Sequence, residues 1–251
     1  MSRSRVFIAI AVVVLAIGLG GFIVYDQVLR GDSAAALTLP TASIAPSSSG
    51  TPAASTSAGA SVAQATTSGG SVAGTWTVAA DSVAGYRVRE QLANLPAQSD
   101  AVGRTSQVTG SITIESSGST TTVTAGTLTV DTTSITSDKT QRDNRLRSEG
   151  LQTDQFPTAT FTLTKPVDVP AAALAGTASN VTLTGDLTLH GVTKSVEIPA
   201  QAQLVNGTIQ VAGSISFPLS DYSITAPNIG GVIVSIADTG TLEFLVNFSK
   251  G

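Results

Sequence analysis

Residues 181–211 read VTLTGDLTLHGVTKSVEIPAQAQLVNGTIQV, and apolar residues alternate with polar ones through most of this stretch. Successive side chains of a strand point to opposite faces, so alternation predicts strands with one apolar and one polar face. Asn206-Gly207 is a dipeptide typical of a two-residue hairpin turn, because both central positions of a type I′ turn need positive φ. The stretch therefore predicts consecutive antiparallel strands.

The alternation extends to both sides of this stretch, and it is cleanest in the second half of the chain. The apolar positions of the later strands include Leu187, Leu189, Ile198, Phe217, Leu242, Phe244, Val246 and Phe248. Earlier strands are shorter and are marked by Trp76, Val78, Tyr86, Val88, Val108, Ile112, Ile114, Ala159, Phe161 and Leu163. A change of phase near Gly126 suggests a β-bulge. Eight or more such strands fit an all-β fold, either a closed antiparallel barrel or a two-sheet sandwich.

The alternation stops between Asp138 and Gln155, where the sequence predicts a short helical segment that ends near Gly150. Arg142, Arg145 and Arg147 make it the most basic part of the domain. Guanidinium groups match phosphate oxygens, so this cluster is a candidate site for a phosphorylated headgroup. The other interpretation is that Arg142 and Asp143 form local structural bonds while the remaining arginines face solvent.

Three motifs occur in a fixed order along the chain. They are Arg142-Asp143, Phe156-Pro157-x-x-x-Phe161, and Gly185-Asp186-Leu187-Thr188-x-His190-Gly191-Val192-Thr193-Lys194. Together they resemble the YceI-like family over roughly residues 74–251. The resemblance implies a lipocalin-like barrel that holds a long isoprenoid in an apolar lumen, and it gives little indication of catalysis.

The N-terminal part has a different composition. Residues 6–25 carry no charge and are long enough to cross a bilayer as a helix, and Arg3 and Arg5 precede them. We expect residues 1–30 to form a cytoplasmic flank and one transmembrane anchor, with the rest of the chain outside the cytoplasm. A signal peptide cleaved near Ala36 is the alternative. Residues 31–73, rich in Ser, Thr, Ala, Gly and Pro, are predicted to be a disordered linker to a domain at 74–251.

Charge and residue content narrow the function classes. From Ser33 onward the chain has ten basic and fifteen acidic residues, which argues against a nucleic-acid partner. It has no cysteine and one histidine, His190, so no metal site or other cofactor is predicted. No Gly-x-Ser-x-Gly motif marks a hydrolase, and the chain is not expected to be an enzyme.

The sequence thus favours a membrane-anchored, extracytoplasmic protein that binds an isoprenoid lipid, either a polyprenyl phosphate or an isoprenoid quinone. The alternative is a structural or interaction module of the cell envelope with a filled β core. The candidate ligand-binding residues are Phe161, Leu187, Leu189, His190, Phe217, Phe244 and Phe248, with Arg145 and Arg147 at the headgroup. His190 also has a purely structural interpretation, as part of the turn that follows Leu189.

Overall fold

The computed structural model describes residues 33–40, 71–92, 98–226 and 233–251. The predicted transmembrane segment at 6–25 and residues 41–70 of the predicted linker lie outside these ranges. Within them, no helix is both long enough and apolar enough to cross a bilayer.

The described part of the domain is built almost entirely from antiparallel strands. The strands are β1 (Gly74–Val78), β2 (Val83–Leu92), β3 (Ser99–Thr105), β4 (Val108–Ser117), β5 (Thr120–Asp131), β6 (Thr136–Ser137), β7 (Thr158–Leu163), β8 (Val167–Asp168), β9 (Ser179–Leu189), β10 (Val192–Val205), β11 (Thr208–Pro218) and β12 (Ile233–Lys250). The helices are α1 (Thr140–Arg145), which continues as a π-helical turn over Leu146–Gly150, α2 (Ala171–Leu174), and the 3₁₀ turns Thr132–Ser134 and Leu219–Tyr222.

The sheet closes on itself through the short strand β1. On one edge β1 pairs with β4, where Trp76 lies opposite Ile112, and on the other edge it pairs with the end of β12, where Trp76 lies opposite Lys250. The strand order around the sheet is β1-β4-β5-β7-β9-β10-β11-β12, and β12 also pairs with β2, which carries β3 and β6. Closure excludes the two-sheet sandwich and confirms the predicted antiparallel barrel with a short helix.

Two consecutive hairpins, β9–β10 and β10–β11, follow from the turn chemistry of the sequence. Asn206 and Gly207 join β10 to β11 with φ of 51° and 77°, which confirms the predicted type of turn. His190 and Gly191 join β9 to β10 in the same way, with φ of 52° and 74°. Positive φ at both central positions matches the right-handed twist of the flanking strands.

The irregularity predicted near Gly126 is a bulge that lies two residues earlier. Thr113 pairs with Ala125 and Ile114 pairs with Val123, so Thr124 is the extra residue on β5. Strand β3 was not predicted from sequence, because Ser99–Thr105 carry mostly small or charged side chains and few large apolar groups. A small residue on the inner face of β3 can still be useful, because Gly103 leaves room for the ring of Tyr86 on β2.

One end of the barrel is filled. Trp76 belongs to a cluster of buried apolar side chains there. The other members of the cluster are Ala84, Val108, Ile114, Ile209, Val246 and Phe248. The Trp76 indole N–H donates to the carbonyl of Val72 at 2.8 Å, so its polar atom is satisfied. A second cluster lies around Leu187, Leu189 and Tyr222, on the side of the barrel where α1 packs.

Residues 33–40, here called the N-terminal strap, lie against the outside of the barrel. Arg87 Nη2 donates to the carbonyl of Ala34 at 2.6 Å, and Arg104 donates to the carbonyl of Ala35. The same two arginines hold the carboxylate of Glu243, which is only 3% exposed. The composition of residues 31–73 predicts a disordered linker, but residues 33–40 pack on the sheet. Composition does not show this, because the strap is held mainly through backbone carbonyls.

The strap also supplies one apolar contact that can be tested. Leu39 is 7% exposed, and full burial of such a side chain contributes about 2 kcal/mol. We expect Leu39→Ala to lower the free energy of unfolding by about that amount in denaturant titration. Thr38→Ala, one position away and exposed, should change it by less than about 0.5 kcal/mol. Equal effects of the two substitutions would show that the strap is not packed in solution.

Candidate functional site in the barrel lumen

The other end of the barrel is hollow. A cavity of about 200 Å³ lies between the filled core and α1, and its walls are mainly apolar. A cavity that holds a single water needs about 10–15 Å³, so this one is far larger than a packing defect. Its apolar lining includes Val88, Leu128, Val130, Leu146, Leu151, Phe161, Leu183, Leu187, Leu189, Ile198, Ile215, Phe217, Ile224, Leu242, Phe244 and Val246.

Two aromatic rings of the lumen, those of Tyr86 and Phe244, lie against the sheet because each has a glycine opposite it on the neighbouring strand. A Cβ atom on Gly103 would come within 2.3 Å of the Tyr86 ring, and one on Gly213 would come within 2.8 Å of the Phe244 ring. Each pair consists of directly opposite residues on neighbouring strands. The glycine leaves room for the ring to lie flat on the sheet, as in other cross-strand glycine–aromatic pairs. The rings of Tyr86 and Phe244 therefore enlarge the apolar lining of the lumen without occupying its central space.

Polar groups enter the lumen at the end where α1 packs. Tyr86 and Glu90 lie on the inward face of β2, and Arg142 reaches in from α1. Arg142 Nη2 donates to Glu90 Oε1 at 2.5 Å, and Glu90 is only 3% exposed. The other terminal nitrogen of Arg142 binds Asp138, which is at the surface. A buried ion pair therefore closes this end of an otherwise apolar cavity.

Burial controls the ionisation of Tyr86. Removal from water disfavours the phenolate, and this desolvation raises the pKa of Tyr86 to about 12. The Arg142 charge opposes the rise, whereas Asp143, Glu90 and Asp138 add to it. Tyr86 is therefore a neutral hydroxyl over the whole physiological range, and it can donate a hydrogen bond.

Burial and ion pairing act in opposite directions on Arg142. Desolvation disfavours the guanidinium charge, but the hydrogen bond and the charge of Glu90, together with Asp138, outweigh it, so the pKa of Arg142 is raised. Arg142 Nε and the Tyr86 hydroxyl are both buried and have no hydrogen-bond partner among the described residues. At the polar end of the lumen, two donors are thus left without an acceptor in the part of the chain that the structure describes.

The segment that presents Arg142 is fixed by its neighbours. Asp143 is buried and accepts hydrogen bonds from the Ser137 backbone N–H at 2.9 Å and from the Ser137 hydroxyl at 2.6 Å. Arg147 donates to the backbone carbonyls of Thr133 and Ile135. Arg142 and Asp143 therefore both form local structural bonds, as the second interpretation of this segment expects, but they bind different partners, Asp138 and Ser137.

The structure places the predicted site residues in two groups. Those that line the cavity are Phe161, Leu187, Leu189, Phe217, Phe244 and Arg145. Of these, Arg145 pairs with Glu149 at 3.1 Å in a partly exposed ion pair. The residues that do not line it are Phe248, His190 and Arg147. Phe248 lies in the filled core around Trp76, and Arg147 holds the loop before α1.

His190 has the structural environment that its position in a turn suggested. Its Nδ1 lies 3.0 Å from the carbonyl oxygen of Tyr222, and its ring contacts that of Phe156 at a centroid distance of 4.5 Å. A carbonyl only accepts hydrogen bonds, so Nδ1 carries a proton and donates it to this oxygen. A Cβ on Gly191 would come within 2.6 Å of Phe156, so this corner requires glycine. The histidine joins the β9–β10 turn to the segments around Phe156 and Tyr222.

Tyr86 and Glu90 line the lumen but were not among the site residues predicted from sequence, whereas Arg142 belonged to the basic cluster predicted to meet a headgroup. A signal for Glu90 was present, because Tyr86, Val88 and Glu90 occupy alternate positions and so share one face of β2. A charged residue on the apolar face of a strand requires a partner. That partner lies 52 positions further along the chain, and no local pattern indicates it.

The YceI-like domain family matches residues 60–248. This chain belongs to the YceI-like family. The match begins before β1, within the segment that composition assigns to the linker.

Individual relatives are similar over shorter stretches. Protein YceI of Escherichia coli O6:H1 is 40% identical over 75 residues, which are 30% of this chain and 35% of that protein. A UPF0312 protein of Vibrio campbellii is 42% identical over 73 residues, again 35% of its length. The chain therefore matches about a third of the length of these curated relatives.

One solved structure is similar to this chain over most of its length. A polyisoprenoid binding domain from Saccharophagus degradans superposes with a TM-score of 0.55 at 21% identity, over 71% of this chain and 99% of that domain. At this level of identity the comparison shows the fold.

The environment of Tyr86 gives a spectroscopic prediction. The difference in phenolate absorbance between the wild-type protein and Tyr86→Phe should stay flat to about pH 11, because the pKa of Tyr86 is about 12. An ordinary tyrosine is half ionised near pH 10. Since the pKa in the folded protein exceeds that of the unfolded chain, the stability contributed by this group is present below pH 10 and is lost as the pH rises towards 12. A difference signal already half complete at pH 10 would contradict the buried placement.

Proposed function

We propose that the protein binds an isoprenoid lipid in the hollow end of its barrel and is not an enzyme. The observation that carries the proposal is the apolar lumen, which is bounded by aromatic rings that glycines hold against the wall. The polyisoprenoid-binding domain of Saccharophagus degradans, which shares the fold, supports the same ligand class. A structural module with a completely filled core, the alternative from sequence, does not account for this cavity.

The energetics favour a long apolar chain. Burying apolar surface contributes about 25 cal/mol per Å² before the costs of association, so a prenyl chain needs few polar contacts to bind tightly. Phe161, Phe217 and Phe244 provide rigid apolar surfaces along the wall. An edge-to-face contact with Tyr222, at a centroid distance of 5.0 Å, fixes the Phe217 ring. The site is therefore largely preformed.

The cellular location is part of the same proposal. We propose that residues 6–25 anchor the chain in a membrane and that the barrel lies outside the cytoplasm, as the apolar run after Arg3 and Arg5 suggests. Because the strap at 33–40 packs on the barrel, the domain would stay within a few residues of the anchor. A short connection of this kind would keep the lumen near the bilayer that supplies its ligand.

Blocking the lumen tests the binding site. Ala159 lines the cavity, and we expect Ala159→Trp to fill the empty space, leaving the protein folded but abolishing binding of geranylgeraniol. The matched control is Ala171→Trp, at an exposed position of α2, which should bind as the wild-type protein does. Binding is measured by native mass spectrometry, and folding by circular dichroism. Undiminished binding by a folded Ala159→Trp variant would place the ligand elsewhere.

Fractionation tests the proposed anchor separately. The full-length protein should remain in the membrane pellet after an alkaline carbonate wash, because one apolar helix resists extraction. Deletion of residues 1–30 should release the protein to the supernatant. Recovery of the full-length gene product as a soluble protein that begins near Ala36 would instead support a cleaved signal peptide.

A further inference from the structure

We propose that the buried Glu90–Arg142 pair makes the lumen selective for isoprenoids with an uncharged, oxygen-bearing headgroup, such as a prenyl quinone or a prenol, and against prenyl phosphates. This inference rests on the proposed function, since it assumes that the prenyl chain occupies the lumen. It distinguishes between the two headgroup classes that the sequence left open.

The cations of the lumen are already neutralised by carboxylates of the protein. Among the described residues that line the cavity, the cationic ones are Arg142 and Arg145. Arg142 binds Glu90 inside and Asp138 at the surface, and Arg145 binds Glu149. A prenyl phosphate placed here would have to compete with these carboxylates for the guanidinium groups.

Glu90 would repel a negatively charged headgroup in an environment that contains little water. Glu90 is 3% exposed, so its carboxylate is poorly screened by water. A phosphate carries up to two negative charges at neutral pH and would lose its hydration beside this carboxylate. Like charges at a shared buried site destabilise each other strongly. The ion pair therefore acts against an anionic headgroup even though it contains an arginine.

Two polar atoms that face the lumen suit a neutral hydrogen-bond acceptor. The Tyr86 hydroxyl and Arg142 Nε have no partner among the described residues, and both side chains line the lumen. Both atoms can donate a hydrogen bond, and neither needs to give up an existing one. A quinone carbonyl or a prenol oxygen can accept from such donors without bringing charge into the cavity. A ligand of this kind also satisfies groups whose burial is otherwise unfavourable.

The test uses three ligands that share a geranylgeranyl chain: geranylgeraniol, menaquinone with a geranylgeranyl side chain, and geranylgeranyl phosphate. We expect the wild-type protein to bind the alcohol and the quinone at least about tenfold more tightly than the phosphate, the ratio that about 1.4 kcal/mol produces. Binding is measured by native mass spectrometry and by equilibrium competition, at constant pH and salt.

Two variants identify the residues responsible. Glu90→Gln keeps the size of the side chain and its hydrogen bond to Arg142 but removes the charge, so the affinity for the phosphate should rise at least about fivefold relative to the alcohol. The control is Glu197→Gln, an exposed glutamate of β10, which should leave the ratio unchanged. Tyr86→Phe should weaken binding of the quinone about fivefold.

These binding measurements distinguish a failure of the headgroup selectivity from a failure of isoprenoid binding itself. If none of the three ligands binds the folded protein, isoprenoid binding itself is wrong. If all bind and the phosphate is equal to or tighter than the alcohol, lumen binding stands and the selectivity proposal is overturned. An unchanged preference in a Glu90→Gln variant whose circular dichroism and melting temperature match the wild type would also overturn it, because another group would then set the selectivity.

Discussion

The structure depends first on closure of the sheet through β1. Because this short strand pairs with β4 on one edge and with the end of β12 on the other, every inward side chain faces the same enclosed space. How that space is used then depends on side-chain size. Trp76 and Phe248 fill one end, whereas inward glycines at 103 and 213 let aromatic rings lie flat at the other. A single barrel thus combines a stabilising core with a preformed cavity.

The polar end of the cavity depends on the break in the strand pattern between β6 and β7. Helix α1 brings Arg142 to Glu90, and the buried Asp143 fixes the helix by accepting two hydrogen bonds from Ser137. Helix α1 therefore borders the lumen, and its Arg142 neutralises the carboxylate of Glu90 there. Outside the barrel, Arg87 and Arg104 hold Glu243 and the strap. The inner and outer ion pairs are on opposite faces of the same wall.

Local rules predicted much of this arrangement. Alternation located most of the long strands, and Asn206-Gly207 specified a turn whose φ values agree with it. Whether a face is core or cavity wall could not be predicted, because Phe244 and Phe248 lie four positions apart on one face of β12, and yet Phe244 lines the cavity while Phe248 lies in the filled core. Glu90 and Arg142 are 52 residues apart, and the strap binds through backbone carbonyls. Such contacts depend on the closed sheet and leave no periodic pattern in the sequence.

The most direct test is a crystal structure of the protein with menaquinone that carries a geranylgeranyl chain. We expect density for the prenyl chain inside the barrel, in contact with Phe161, Phe217 and Phe244, and a quinone oxygen within hydrogen-bond distance of Tyr86 or Arg142. Density for the chain on the outer surface, or a lumen filled by repacked side chains, would contradict the central claim that this barrel is a lipid-binding cavity.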